Sequence, residues 1–410
     1  MGHGHSHRAA HGVDDQIRIG TTARAVLLAG LGVALLATVV GLVLWWPADD
    51  AIDRAVESGG EAAQFAAPGV TFPIGEVVEV AERCPGQGLP DGSGCSTLRV
   101  EVEGEAEPVQ VDVLPDVLDS GIAEGDRVEL LRTPTPEAEE GQEAAYSYFA
   151  TDRDGTFVWL ALSFVVVVLV IARWRGLFAI LGLAFGGAVV WWWMLPALLD
   201  GSPGVGVALV SASAIMFVVL YTTHGLSLRT STALAGTLLG IALTAGIGVI
   251  AIGDAHLTGI SDESGTILAT FGVLDFQALL GCAMVIAGLG VLNDVTITQA
   301  SSVWELRAVS PEASRAQIFA SAMRIGRDHI ASTIYTIVFA YVGTALILLM
   351  VVRVYDRPLL ELLSTEQLAE EVVRTLVTSI GLVLAVPITT ALAAVVAAPT
   401  TTSDQSKTAG

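Results

Sequence analysis

The sequence predicts an α-helical polytopic membrane protein of about eight transmembrane helices, with a small all-β extracytoplasmic domain between spans one and two. Three observations carry this reading. The 410 residues are 53% apolar and 15% charged, whereas soluble chains run at about a quarter charged. Uncharged apolar runs of roughly 20 residues, the length that crosses about 30 Å of hydrocarbon, recur along the chain. Acidic residues collect in one segment: Pro47 to Gly155 holds 25 Asp and Glu against 6 Arg, most of the net charge of -22.

The runs lie near residues 24–46, 157–172, 177–195, 204–222, 231–253, 272–293, 331–352 and 374–398. The second is the shortest and either continues into Ala172 and Arg173 or crosses with little tilt. The first follows Arg24 as a signal peptide would, but it exceeds the roughly 7–15 apolar residues of such a segment. It ends in the interfacial pair Trp45-Trp46 before Pro47, so it reads as a retained anchor.

Basic residues in short loops stay cytoplasmic. Arg8, Arg18, Arg24, Arg173, Arg175, Arg229, Arg307, Arg315, Arg324, Arg327 and Lys407 share one side, and Arg353, Arg357 and Arg374 oppose them. Both termini are therefore expected in the cytoplasm and the acidic segment outside. The organisation that follows is a His-rich cytoplasmic tail at 1–23, an anchor at 24–46 and an acidic extracytoplasmic domain at 47–155 with its β core near 70–132. A seven-helix membrane domain occupies 156–398 and a cytoplasmic tail 399–410.

In the acidic domain, Gly75-Glu76-Val77-Val78-Glu79-Val80, Leu98-Arg99-Val100-Glu101-Val102 and Val109-Gln110-Val111-Asp112-Val113 alternate apolar and polar residues, the period of half-buried strands. Gly125-Asp126 adds a turn before another strand. About five short strands predict a small barrel, OB-like by strand count. Ala51 to Gly69 and Thr133 to Ala144, rich in Ala, Glu, Pro and Gly, read as linkers. Cys84 and Cys95 bracket a Pro- and Gly-rich loop and are expected to form a disulfide, while Cys282 in the sixth run reads as a packing residue. Lysine is reduced to Lys407, which disfavours nucleic-acid binding, and the acidic surface reads as a solvated face.

Ionisable groups at membrane depth cost at least a few kcal/mol and mark function by default. Asp275 opens the sixth run and Asn293-Asp294 closes it. Asp294, Thr298, Ser301 and Glu305 then recur at helical spacing, one polar face that suits either a water-filled passage or a helix emerging into the cytoplasm. Ser310-Pro311-Glu312 has the chemistry of a helix start, and Ile318, Ala322 and Ile325 with Arg315, Arg324 and Arg327 suggest an amphipathic segment near 310–330 on the inner leaflet. Arg327 is positioned in sequence to neutralise Asp294 or Asp328.

His224 reads as a loop histidine, and Asp254, His256, Asp262 and Glu263 are too loosely spaced for a metal site. Ser364 to Gln367 makes a capping box, and Glu370 precedes Arg374 by four residues. Pro387 should kink the last span, where Thr389 and Thr390 are placed to satisfy freed carbonyls. His3, His5, His7 and His11 form a tract expected to bind Zn or Ni weakly; no other cofactor is implied.

Three segments together resemble the YibE/YibF family of bacterial multi-pass membrane proteins: Gly290-Val291-Leu292-Asn293-Asp294-Val295-Thr296, Ile325-Gly326-Arg327-Asp328-His329-Ile330, and Val373 to Thr390 through Ala385-Val386-Pro387-Ile388. The resemblance runs from about Val70 to Ala398 and implies the multi-pass topology and a plasma-membrane location. It brings no catalytic residues.

The leading expectation is a secondary transporter or permease for an unknown small molecule or ion, its pathway among spans four to eight. Asp294 is its coupling or substrate-contact carboxylate, with Asn293, Thr298, Arg327, Asp328 and Asp275 on the pathway. The rival is a non-transporting scaffold or sensor whose outer domain binds a partner. No GxSxG, HExxH, Walker or GxGxxG motif stands in a suitable context, so an enzyme is not expected. The lipid bilayer is the expected partner, and a homo-oligomer is left open.

Overall fold

The structure is a computed structural model and describes residues 20–59, 69–81, 96–134, 145–269, 272, 274–354, 358, 361 and 363–398. In chain order the elements are α1 (Thr21–Leu44), α2 (Ala51–Gly59), β1 (Ile74–Ala81), β2 (Ser96–Val102), β3 (Val109–Val113), α3 (Pro115–Asp119), β4 (Arg127–Thr133) and β5 (Ala145–Thr151). There follow α4 (Asp154–Val189), a π-helical turn (Val190–Met194), α5 (Leu195–Leu199), α6 (Gly204–His224), α7 (Leu228–Asp254) and α8 (Glu263–Ala269). The chain continues with α9 (Phe276–Val309), α10 (Arg315–Thr344), α11 (Leu346–Val354) and α12 (Glu366–Val396). It divides into two compact units, residues 60–171 and the remainder.

The smaller unit is a five-stranded antiparallel sheet in the order β3-β2-β1-β4-β5, and β3 also lies beside β5, so the sheet nearly closes on itself. Its alternation works as the pleat requires: Val77, Leu98, Val100, Val102, Val111, Val113, Val128 and Leu130 point inward and are buried. Each such side chain contributes roughly 1.5–3 kcal/mol by leaving water. A bulge between Val77 and Glu79 and another between Glu129 and Leu130 supply the bending that near-closure needs. Tyr146 donates to Glu105 at 2.5 Å, and burial together with that carboxylate raises the phenol above its ordinary range.

In the larger unit the helices associate through small residues. Lipid tails are as apolar as leucine, so burial alone does not hold spanning helices together and close backbone approach must. Where α7 crosses α12, a Cβ on Gly236 would overlap Thr389 and one on Gly381 would overlap Thr244. Buried Thr237 and Thr296 share a hydrogen bond of 2.6 Å between α7 and α9. Trp45, read from the sequence as an interfacial anchor, lies over Gly206 of α6, and its neighbour Trp46 is exposed.

Among the described residues, six helices are long and apolar enough to cross a membrane, or seven if the bent pair α10 and α11 forms one span. The second and third predicted runs fall in one 46-residue stretch from Asp154 to Leu199, broken at Arg173, where φ is 55° and ψ is -132°. A positive φ is strained for arginine, so the break is a true interruption of the helical path.

Several local expectations are corrected. Ala51–Gly59, read as linker, is helical: Ala51 and Ala55 are buried, α2 packs on α5, and Arg54 binds Asp200 at 2.8 Å. The backbone N–H of Ala48 and the Arg54 guanidinium hold the Asp200 carboxyl below its ordinary range. Strands extend past residue 132, because Thr133 ends β4 and β5 begins at Ala145.

The helix expected at Ser310 starts at Arg315, with Ser314 as N-cap in a reciprocal capping box with Gln317. Ser310 instead ends α9. The 310–330 segment is no separate surface helix, since α10 runs unbroken to Thr344 and buries Ile318, Ala322 and Gly326. At the start of α12, Thr365 takes the N-cap position and its side chain makes no cap hydrogen bond. Arg374 pairs with Glu371 at 3.1 Å and not with Glu370. Thr390 donates to Val386 O at 2.7 Å, whereas the carbonyl that Pro387 frees belongs to Val383, and the buried Thr389 hydroxyl has no partner.

Candidate functional site

The seam between α9, α10 and α12 is the opposite of the tight α7–α12 crossing. On α10 a stripe at i, i+4 spacing, His329, Thr333, Ile337 and Tyr341, turns toward its neighbours, with Thr333 and Ile337 buried. Two cavities open along it. One of about 130 Å³ is lined by Gly288 and Val291 of α9, Thr336, Ile337 and Tyr341 of α10, and Thr378 and Leu382 of α12, among others. A second, of about 210 Å³, shares Tyr341 and lies at the break between α10 and α11, where the two axes bend by 64°. Its walls are apolar except for Tyr341, Glu371 and Thr375.

Polar groups stand at both ends of this seam. At the α11 end, Glu371 and Arg374 form their ion pair beside Tyr341, whose hydroxyl meets Thr378. Glu371 Oε2 and Arg374 Nε are buried without partners. Toward the α9–α10 turn, Asp294 Oδ2 faces His329 Nε2 at 3.6 Å, too long for a hydrogen bond, and Asn293 Oδ1 is buried without a partner. From His329 to Tyr341 is 12 residues, about 18 Å along the helix.

Just beyond Asp294 the seam closes. Gln299 is buried and donates from Nε2 to Ala322 O at 2.8 Å. A Cβ on Gly326 would crowd both Gln299 and Val386, so only glycine lets the three helices meet there. Gly326 and His329 belong to one of the segments that resembled the family, and this meeting point accounts for the glycine.

The predicted site residues separate into two groups. Asn293 and Asp294 lie on the seam, and Thr298, one helical turn later, is partly buried and accepts at its carbonyl from Ser302. Arg327 and Asp328 are exposed on α10 and make no ion pair or hydrogen bond among the described residues, so the side chain facing Asp294 is His329. Asp275 is the N-cap of α9, accepting from Ala278 N at 3.0 Å, and is not brought to Asp294. Pro387 sits inside an unbroken α12.

Cys84 and Cys95, with the proposed disulfide, and His3, His5, His7 and His11, with the proposed metal tract, lie outside the described residues. Cys282 is buried and donates to Gly204 O, as a packing residue does. His224 ends α6, Asp254 ends α7, and Asp262 caps α8 by accepting from Gly265 N. No group of three His, Cys, Asp or Glu side chains suited to a metal occurs among the described residues.

Sequence reasoning missed His329, Glu371 and Tyr341. The i, i+4 stripe that carries His329 and Tyr341 was visible, but apolar residues on every side of α10 gave no indication of which stripe faced inward. It also passed over Arg307, which is 2% exposed and donates to the carbonyls of Ala397, Pro311 and Ala313, tying the end of α12 to the α9–α10 turn.

Neither the curated proteins nor the solved structures contain a match to the chain. The family described as YibE/F-like protein matches residues 160–399, which covers α6 to α12 and every residue of the seam. With more than half its length inside that match, and with its long apolar helices, the chain is a membrane-embedded member of the YibE/F-like family.

Proposed function

We propose that the chain is a secondary transporter or permease of a small solute in the bacterial plasma membrane, and that the α9–α10–α12 seam is its path. The observation that carries this is the disposition of the seam: polar groups with unpartnered buried atoms, Asn293 and His329 at one end and Glu371 and Arg374 at the other, stand about 18 Å apart, and two cavities that share Tyr341 lie along the seam. Unsatisfied polar atoms at membrane depth are costly and are retained where a ligand or water completes them. Asp294 and His329 form the inner contact, Glu371, Arg374 and Tyr341 the outer one. The tight packing at Gln299 and Gly326 closes the α9–α10 turn end of the seam, as one state of an alternating-access cycle requires.

The topology that goes with this reading has eight crossings, the break at Arg173 dividing the 46-residue stretch into two and α10 with α11 forming one. Both termini are cytoplasmic, by the arginine bias. The barrel is then extracytoplasmic and OB-like, since its strand order with a helix between β3 and β4 follows that plan, and Cys84 and Cys95 are bridged there. The chain has no catalytic role in this account.

The test compares metabolite and metal content of deletion cells complemented with wild-type chain, Asp294→Asn or His329→Ala. Each variant is expected in the membrane at normal amount, with the solute pattern of the deletion strain. Wild-type content with Asp294→Asn removes Asp294 from the mechanism. If neither variant nor deletion changes any solute, the chain is a scaffold or sensor acting through its outer domain.

A further inference from the structure

Glu370 is the most deeply buried carboxylate among the described residues, 4% exposed, in the second turn of α12. It shares a helical face with Val373 and Val377, which pack with Ile252, Leu257, Leu280 and Met284. Its Oε2 accepts from Ser261 Oγ at 2.8 Å, and its Oε1 is buried with no partner. The cation one turn on, Arg374, is engaged by Glu371. The remaining charged groups near it are both acidic, Glu366 on its own helix and Asp262 on the α7–α8 loop.

The same loop is latched to α12 at a second carboxylate one turn earlier. Thr258 donates its N–H and its hydroxyl to Glu366 Oε1, at 2.5 and 2.9 Å. Leu257 is buried beneath the loop, and Gln277 of α9 donates to Leu257 O at 2.7 Å. Ser261 is partly exposed and Asp262 exposed, so water reaches the loop beside the Ser261 hydrogen bond.

We propose that Glu370 is a cation-binding site loaded from the α7–α8 loop, and that its cation is a proton. One free oxygen is what a proton needs to complete a carboxylic acid. A metal cation requires a shell of several oxygens, but Glu366 Oε1 is taken by Thr258 and no group of three His, Cys, Asp or Glu side chains suited to a metal occurs among the described residues. Taking the proton removes a buried charge that a single neutral donor only partly satisfies. Because Glu371, Thr375 and Thr378 on the same helix line the seam, the proton is the coupling ion of the transport proposed above, and this inference rests on that reading for its role in coupling, not for the binding itself.

The experiment is infrared difference spectroscopy on the purified full chain in lipid nanodiscs, stepped in pH across the carboxyl and histidine range. The expected result is a carboxylic-acid C=O band that grows on acidification, shifts in deuterated water and is lost in Glu370→Gln. Ser261→Ala, which leaves the carboxyl in place, should keep the band but change its frequency by removing the one hydrogen bond. A band unchanged in both variants, no such band at any pH, or a band that responds to sodium at fixed pH each overturns the proposal. The readout needs no substrate, so its failure leaves the seam reading standing, and failure of the solute comparison leaves the proton site standing.

Discussion

Helix α12 meets α7 on one side and α10 on the other, and the two seams are built oppositely. Against α7 it presents Gly381 to Thr244 and sets Thr389 over Gly236, so the two helices approach closely. Against α10 it presents Glu371, Thr375, Thr378 and Leu382, and two cavities remain, one of them lined by the unpartnered Glu371 Oε2. In lipid, tight seams must come from close van der Waals contact, so a seam left loose can slide at little cost. The contrast predicts that the α7–α9–α12 group is the fixed frame and α10 the element that moves against it.

The largest effect expected from this contrast is at Gly236. Gly236→Ala would drive a methyl into Thr389 and should destabilise the purified protein by about 1–3 kcal/mol, read as a lower melting temperature. A wild-type melt would show that the α7–α12 crossing has slack and would dissolve the comparison. Hydrogen exchange tests the same contrast without substitution. Amides of α10 near Thr333 to Tyr341 should exchange on the order of tenfold faster than those of α7 near Thr237 to Thr244.

Gly288 offers the counterpart on the loose seam. A Cβ there meets only Leu292 and Thr378 at 3.7 and 3.8 Å, ordinary contact distances. Gly288→Ala should therefore leave stability within about 1 kcal/mol of wild type, on the stable side because alanine favours helix. It narrows the smaller cavity, so solute content of complemented cells should move toward the deletion pattern. Loss of stability with normal solute content would reverse the assignment of the two seams.

The smallest effect concerns α2, outside both seams. The Ala48 N–H and Arg54 depress the Asp200 carboxyl, so the link between α2 and α5 contributes fully above the ordinary carboxylate range and fades as pH falls through the depressed value. Protection of Ala51–Ser58 amides should drop a few-fold on acidification and be pH-independent in Asp200→Asn. Unchanged protection in both would leave the buried Ala51 and Ala55 as what holds α2.

Much of this molecule was legible before its structure. Period-2 alternation placed Val100, Val111 and Val128 on the inner face of the sheet, because a strand has only two faces and valine at every second position selects one. Caps were legible only where they compete with nothing. Asp275 could be read as the opening of α9, but Ser310, equally good cap chemistry, ends α9, and Ser314 caps α10 instead.

Composition and period by themselves determined the membrane character, the run lengths and the strand alternation, since those follow from how much apolar surface each stretch must hide. Only the tertiary structure decided that Asp294 faces His329 instead of Arg327, and that Glu370 is buried while adjacent Glu371 lines a cavity. Successive residues on a helix point about 100° apart, so a neighbour in sequence faces a different helix in space. On helices apolar all round, nothing in the local pattern says which direction is inward.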